Sequence, residues 1–137
     1  MTSKVKWEDT SLPAGNPLIV PAHIIKENVP LVFSSGIVGV DKNGEYPLEL
    51  EIQIINAFEN LKVVLEAAGC ESLNNVIRVF LMVKDSSYVP TVNTIFKRYF
   101  TGKPSRTCVV VGFPCEKILV EVECIAALHP KKPSSKL

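Results

Sequence analysis

Residues 103–128 carry the side chains best suited to chemistry, because Arg106, Cys108, Glu121 and Glu123 are set into two otherwise apolar runs. Alternation puts Arg106, Cys108 and Val110 on one face of the first run, and Glu121 with Glu123 on one face of the second. A guanidinium and carboxylates inside apolar strands are costly unless they are paired or face a wet cleft. A guanidinium fork can grip a planar carboxylate through two parallel charge-assisted bonds, a geometry lysine lacks. A carboxylate close by can take a proton from water and pass it on. The competing interpretation of the same residues is an ion pair that fixes subunit register.

The segment reads as two β-strands joined by a short turn over residues 113–117, a hairpin that must be positioned by the rest of the chain. Residues 5–9 predict a first strand, and residues 17–25, interrupted by Pro21, a second at an edge or bulge. Residues 31–37 follow as a β-rich run ending in Ser34, Ser35 and Gly36, and residues 41–44 are a loop. Ile52, Ile55, Phe58, Leu61, Leu65 and Ala68 recur at helical spacing over residues 48–68, ended by Gly69. Residues 75–84 alternate as a strand. Ser86 or Ser87 can cap a second helix, with Pro90 in its first turn and Val92, Ile95, Phe96, Tyr99 and Phe100 turned inward. The order β-β-β-α-β-α-β-β predicts an α+β sandwich with both helices on one face of a single mixed sheet. The other face, carrying apolar side chains beside Arg106 and Glu121, is expected to be covered by another copy of the chain, so that the charges line a cleft at a subunit boundary.

Composition bounds the partners. The chain has 137 residues, enough for one domain over residues 1–128, and no Gly/Ser-rich linker divides it. Its 47% hydrophobic content, with a mean hydropathy of +0.23, points to subunit contacts. No apolar run reaches the roughly 18 residues of a membrane span. A net charge of +1 without a basic stripe argues against nucleic acid as a partner. Cys70, Cys108, Cys115 and Cys124 show no Cys-x-x-Cys pair, and His23 and His129 stand alone, so no metal is expected and the thiols read as reduced apolar fillers. With no partner histidine in view, Cys108 reads as a pocket wall and not as a nucleophile.

Several blocks together resemble the RidA/YjgF/UK114 family of enamine/imine deaminases. They are Phe33-Ser-Ser-Gly-Ile-Val-Gly39, the run Ala-Phe-Glu-Asn-Leu-Lys-Val-Val-Leu-Glu-Ala-Ala-Gly that begins at Ala57, Val92-Asn93 with Tyr99-Phe100, Lys103-Pro-Ser-Arg-Thr-Cys108 and Val120-Glu-Val-Glu-Cys-Ile-Ala126. The resemblance covers residues 7–128. It implies a homotrimer of chorismate-mutase-like subunits with three ligand clefts between neighbours and no cofactor. It also implies that Arg106 binds the carboxylate of a small 2-imino or 2-keto acid, that Glu121 handles the attacking water, and that Ser35, Gly36, Asn93 and Cys108 line the pocket. Glu123 receives no catalytic role. Where the family has Gly-Pro-Tyr-Ser-Gln, this chain reads Val20-Pro21-Ala22-His23-Ile24, and Ile37 replaces the glutamine after Ser-Gly. His23, beside the lost tyrosine, is a candidate substitute proton carrier. Two other classes are a trimer that holds small carboxylates without turnover and an endoribonuclease that inhibits translation; the near-neutral charge and the lack of a histidine pair argue against the latter.

Residues 129–137 form a polar, Pro- and Lys-rich tail expected to be mobile, closing on Ser135-Lys136-Leu137. This tripeptide is the C-terminal address read by the peroxisomal import receptor, which predicts a peroxisomal protein, with the cytoplasm as the alternative.

Overall fold

The computed structural model describes residues 2–129, so Ser135, Lys136 and Leu137 lie outside the described residues. Its strands and helices are β1 (Thr2–Val5), β2 (Ala22–Ile25), β3 (Leu31–Phe33), β4 (Ile37–Val38), α1 (Leu50–Ala67), β5 (Val76–Val83), α2 (Val89–Tyr99), β6 (Ser105–Val110) and β7 (Val120–Ala127). This is the expected α+β class, but not a single sheet: β1 and β2 pair only with each other, antiparallel, with Lys4 opposite His23 and Val5 opposite Ala22. The first strand ends earlier than expected. Residues 7–9 coil into a 3-10 turn, because the Lys6 N–H donates to Asp9 Oδ2 at 2.8 Å and the Thr10 N–H to the Trp7 carbonyl at 3.1 Å. Residues 17–21 also stay out of β2, where Pro17 and Pro21 have no N–H for a ladder.

The main sheet has the order β3-β7-β5-β6, with β4 also on β7. Here the hairpin expectation fails. The strands that carry Arg106 and Glu121 are separated by β5, which pairs parallel with β6 and antiparallel with β7. The cause is topological: α2 makes the crossover that lays β6 parallel beside β5, and β7 then takes the other side of β5. The connection over residues 111–119 therefore crosses the end of β5, where the Val111 N–H meets the Val83 carbonyl at 2.9 Å and the Lys84 N–H meets the Leu119 carbonyl at 3.0 Å.

The β-rich run over residues 31–37 is broken in two by a bulge. Phe33 lies opposite Ile125 and Val38 opposite Glu121, leaving one residue more on this side than on β7. Ser34 repairs the ladder at the break. Its N–H reaches the Cys124 carbonyl at 3.0 Å, and its Oγ accepts from the Cys124 N–H at 2.9 Å.

Both helices cover one face. Ile54, Ala57, Phe58, Leu61 and Leu65 of α1 and Val92, Ile95 and Phe96 of α2 pack with Val79, Leu81, Val83, Val120, Val122, Cys124 and Ala126 in one core. The buried stripe of α1 is thus centred on Ile54 and Ala57, whereas Ile52 and Ala68 face outward. Gly69, with φ of +98°, ends the helix in the left-handed conformation expected of its position. At α2 the cap is neither serine: Asp85 Oδ1 accepts from the Ser87 N–H at 2.8 Å, closing a 3-10 turn over Ser86–Tyr88 that leads into the helix. Opposite the helices, Phe80, Met82, Val109 and Ile125 are only half-buried and Phe33 is 69% exposed, so the bare face is as apolar as expected.

Candidate functional site

Two groups of the expected residues come together, at opposite edges of the sheet. The first is built on β6 and α2. Arg106 aligns with Val79, whose side chain is in the core, so the guanidinium lies on the helix side of the edge strand and not on the bare face beside Glu121 as expected. Its Cζ stands 4.7 Å from the centroid of the Phe96 ring. Asn93, one helical turn before Phe96, shares that flank of α2. Arg106 Nη1 and Asn93 Oδ1 are both buried without a hydrogen-bond partner among the described residues. Buried polar atoms are normally satisfied, so an unpartnered donor and an unpartnered acceptor on one flank make this the first candidate site.

Burial lowers the Arg106 pKa from its usual value, and the Cys108 thiol two residues on opposes that shift. Burial pushes the Cys108 thiol up against the pull of Arg106, which keeps it protonated and fits a wall residue better than a nucleophile. No carboxylate lies within ion-pair distance of Arg106 among the described residues. The proposed register-fixing ion pair is therefore not formed inside one chain.

The second group is built on the bulge and β7. Glu121 aligns with Val38 of β4 and with Met82 of β5, on the bare face. Its carboxylate folds over Gly36: a Cβ built on Gly36 would run into Glu121 Oε1. The glycine thus makes room for the carboxylate, and Ser35 beside it is exposed. Ser34 Oγ donates to the Ser35 carbonyl at 2.9 Å, which holds the bulge that brings Gly36 under the acid.

The two groups do not meet within one protomer. Arg106 and Glu121 are offset by three positions along the strands and by two strand spacings, so their Cα atoms stand about 14 Å apart on opposite faces. His23 stands on β2, outside the main sheet, and reaches the Ile77 carbonyl that also accepts from Ser105 Oγ at 2.8 Å. Its Nδ1 is buried without a partner, and burial, then Lys4 across the β1–β2 pair, lower its pKa against the opposing effect of the Ile77 carbonyl. This favours a neutral imidazole.

Two contributors escaped the sequence reading. Phe96 has the spacing of a core residue and also serves as the floor under Arg106. Gln53 is fully buried in α1, donating from Nε2 to the Pro47 and Lys117 carbonyls at 2.9 and 3.0 Å and accepting at Oε1 from the Leu119 N–H at 2.6 Å. It pins the crossing segment two residues before Glu121. A lone glutamine on a helix looks like a solvated residue in sequence, and the available hint otherwise was that Ala57 and Leu61, four and eight positions on, continue its row with apolar side chains. No group of three or more His, Cys, Asp or Glu able to hold a metal occurs among the described residues. No helix there is long and apolar enough to cross a membrane.

Comparison with known proteins agrees with this architecture. The 2-iminobutanoate/2-iminopropanoate deaminase of Escherichia coli is 31% identical over 101 residues, covering 70% of this chain and 78% of that protein. The crystal structure of Escherichia coli TdcF with bound serine matches with a TM-score of 0.66 at 27% identity, over 82% of this chain and 95% of that one. The Rid-family protein YyfB of Yersinia pestis has a TM-score of 0.81 over 93% of this chain and 98% of its own, and at 20% identity it shows the fold alone. With the family model for endoribonuclease L-PSP matching residues 22–128, the chain belongs to that family, the RidA/YjgF group.

Proposed function

We propose that this protein hydrolyses reactive 2-imino acids to 2-keto acids and ammonia, without a cofactor, in clefts shared by the subunits of a homotrimer. The observation that carries the reading is the pair of incomplete half-sites, an unpaired buried guanidinium at one sheet edge and a carboxylate seated over Gly36 at the other. A substrate of a few heavy atoms cannot span about 14 Å. Joining the β6 edge of one copy to the β4 edge of the next completes the site. Because the two edges differ, the contact is heterologous, and it closes into a ring such as a trimer with one cleft per junction. The apolar bare face is the surface such a ring would bury, and it carries Glu123 and Arg78, whose Nη2 already donates to Thr107 Oγ1 at 2.9 Å.

In the cleft, the Arg106 fork takes the substrate carboxylate and Asn93 Oδ1 is available to an N–H of the iminium. Glu121 accepts a proton as water adds to the C=N carbon, then returns it to nitrogen. As the tetrahedral adduct collapses, Glu121 takes the hydroxyl proton, the C=O bond forms and the C–N bond breaks; the released ammonia then takes that proton and leaves as ammonium beside the 2-keto acid. The relatives named as imine and reactive-intermediate deaminases support this chemistry. Ser135-Lys136-Leu137 supports import into peroxisomes, where flavin amino-acid oxidases release such imines.

The test is ammonia release from imines generated in situ by an amino-acid oxidase. Added protein should accelerate it and Arg106→Ala should not; equal release with and without the wild type removes the enzymatic reading. The replacement of the pocket tyrosine by Ala22 favours the second reading, a trimer that binds carboxylates without turnover. Tight binding of 2-ketobutyrate with no acceleration would establish it. Light scattering should give three copies per particle, and fusion of residues 128–137 to a fluorescent reporter should give punctate, not diffuse, signal.

A further inference from the structure

We infer that Phe96 is a positioning residue for Arg106: its ring face holds the guanidinium in place by a cation–π contact that leaves the positive charge unneutralised for an incoming carboxylate. The inference rests on the imine-hydrolase reading for the identity of that carboxylate. A buried guanidinium usually finds an acid, which fixes its plane but neutralises its charge and competes for its N–H groups. Here there is no such acid among the described residues. Instead the guanidinium carbon lies 4.7 Å above Phe96, inside the range in which a ring quadrupole attracts a cation.

The ring cannot drift. Phe96 is fully buried, stacked on Phe100 with centroids 4.5 Å apart and an interplanar angle of 20°, and met edge-on by Phe58 at 6.3 Å. A rigid aromatic column thus stands under a side chain with several rotatable bonds. Ring faces offer no hydrogen-bond acceptor in the guanidinium plane, so the fork's in-plane donors stay free, as the unpartnered Nη1 shows. The entropic cost of fixing the arginine is met on folding, before a ligand arrives.

The test separates this electrostatic role from plain packing. Replacing Phe96 by 3,4,5-trifluorophenylalanine preserves shape while draining the negative ring face, and Phe96→Tyr keeps that face. Both are compared with wild type for 2-ketobutyrate affinity and for KM and kcat in imine hydrolysis. The fluorinated protein should lose about 3- to 30-fold in affinity and raise KM alike, with kcat within about twofold, as expected for a partly desolvated cation–π contact. Phe96→Tyr should stay near wild type. Unchanged affinity and KM on fluorination, with wild type binding 2-ketobutyrate and Arg106→Ala not binding it, would overturn the role of Phe96 alone. Absence of both binding and turnover in wild type would overturn the hydrolase reading, and this inference with it.

Discussion

Gly36→Ala should remove most activity while leaving the fold almost untouched, an uncommon combination for a glycine beside a strand. The new methyl group would fall on Glu121 Oε1, the far end of a flexible side chain, so the carboxylate moves and the backbone need not. Gly36 is not among the residues with positive φ, so alanine can adopt its backbone conformation. Forcing Glu121 off its rotamer costs about 1 kcal/mol, and the stiffer unfolded chain offsets about 0.4–1 kcal/mol of that. Stability should therefore change by less than about 1 kcal/mol, or about 4 °C in Tm. Activity responds differently. A proton-transferring carboxylate contributes about 10²–10⁴-fold, and a displacement near 1 Å can cost about 10²-fold. The expected result is a kcat lowered about 100-fold in the oxidase-coupled assay, with KM nearly unchanged because Arg106 is not disturbed. Glu121→Gln should fall to a similar level, and the double variant should be little worse than either, since both act on one group. A folded Gly36→Ala protein with wild-type kcat would refute the assignment of Glu121 as the proton carrier.

Other expectations follow from the same geometry. Arg106→Lys keeps the charge but loses the fork, so kcat/KM should drop about 10- to 100-fold, measured in the same assay. Gln53→Leu strands the Leu119 N–H and the Pro47 and Lys117 carbonyls, and denaturant unfolding should show a loss of about 2–5 kcal/mol. Cys124 is 4% exposed and its thiol is pushed up to about 11, chiefly by burial. Its contribution to stability is complete below the unfolded value near pH 9 and is lost as the pH rises through the folded value. Thermal unfolding should therefore weaken between pH 9 and 11 by about 2 kcal/mol, and Cys124→Ala should flatten that slope. The same burial predicts that Cys124 stays unalkylated by iodoacetamide at pH 8 in the native protein, as read by mass spectrometry.

The elements themselves were legible in the chain because they rest on local rules. Periodicity and turn chemistry located both helices and the strands on β5, β6 and β7 to within a few residues, and Gly69 ended α1 for the reason its residue type suggested. The motif blocks identified the family and its candidate site residues. Alternation also correctly set Arg106 with Cys108 and Glu121 with Glu123. What alternation cannot supply is the relation between two strands, because which face of a sheet a strand presents depends on its register with a neighbour. That register put Arg106 opposite Val79 and Glu121 opposite Met82, inserted β5 between them, and turned an expected hairpin site into two half-sites. The Phe96 floor, the hold of Gln53 on residues 117 and 119 and the seat of Glu121 over Gly36 are contacts between residues 10 to 85 positions apart, and only the tertiary structure decides such contacts.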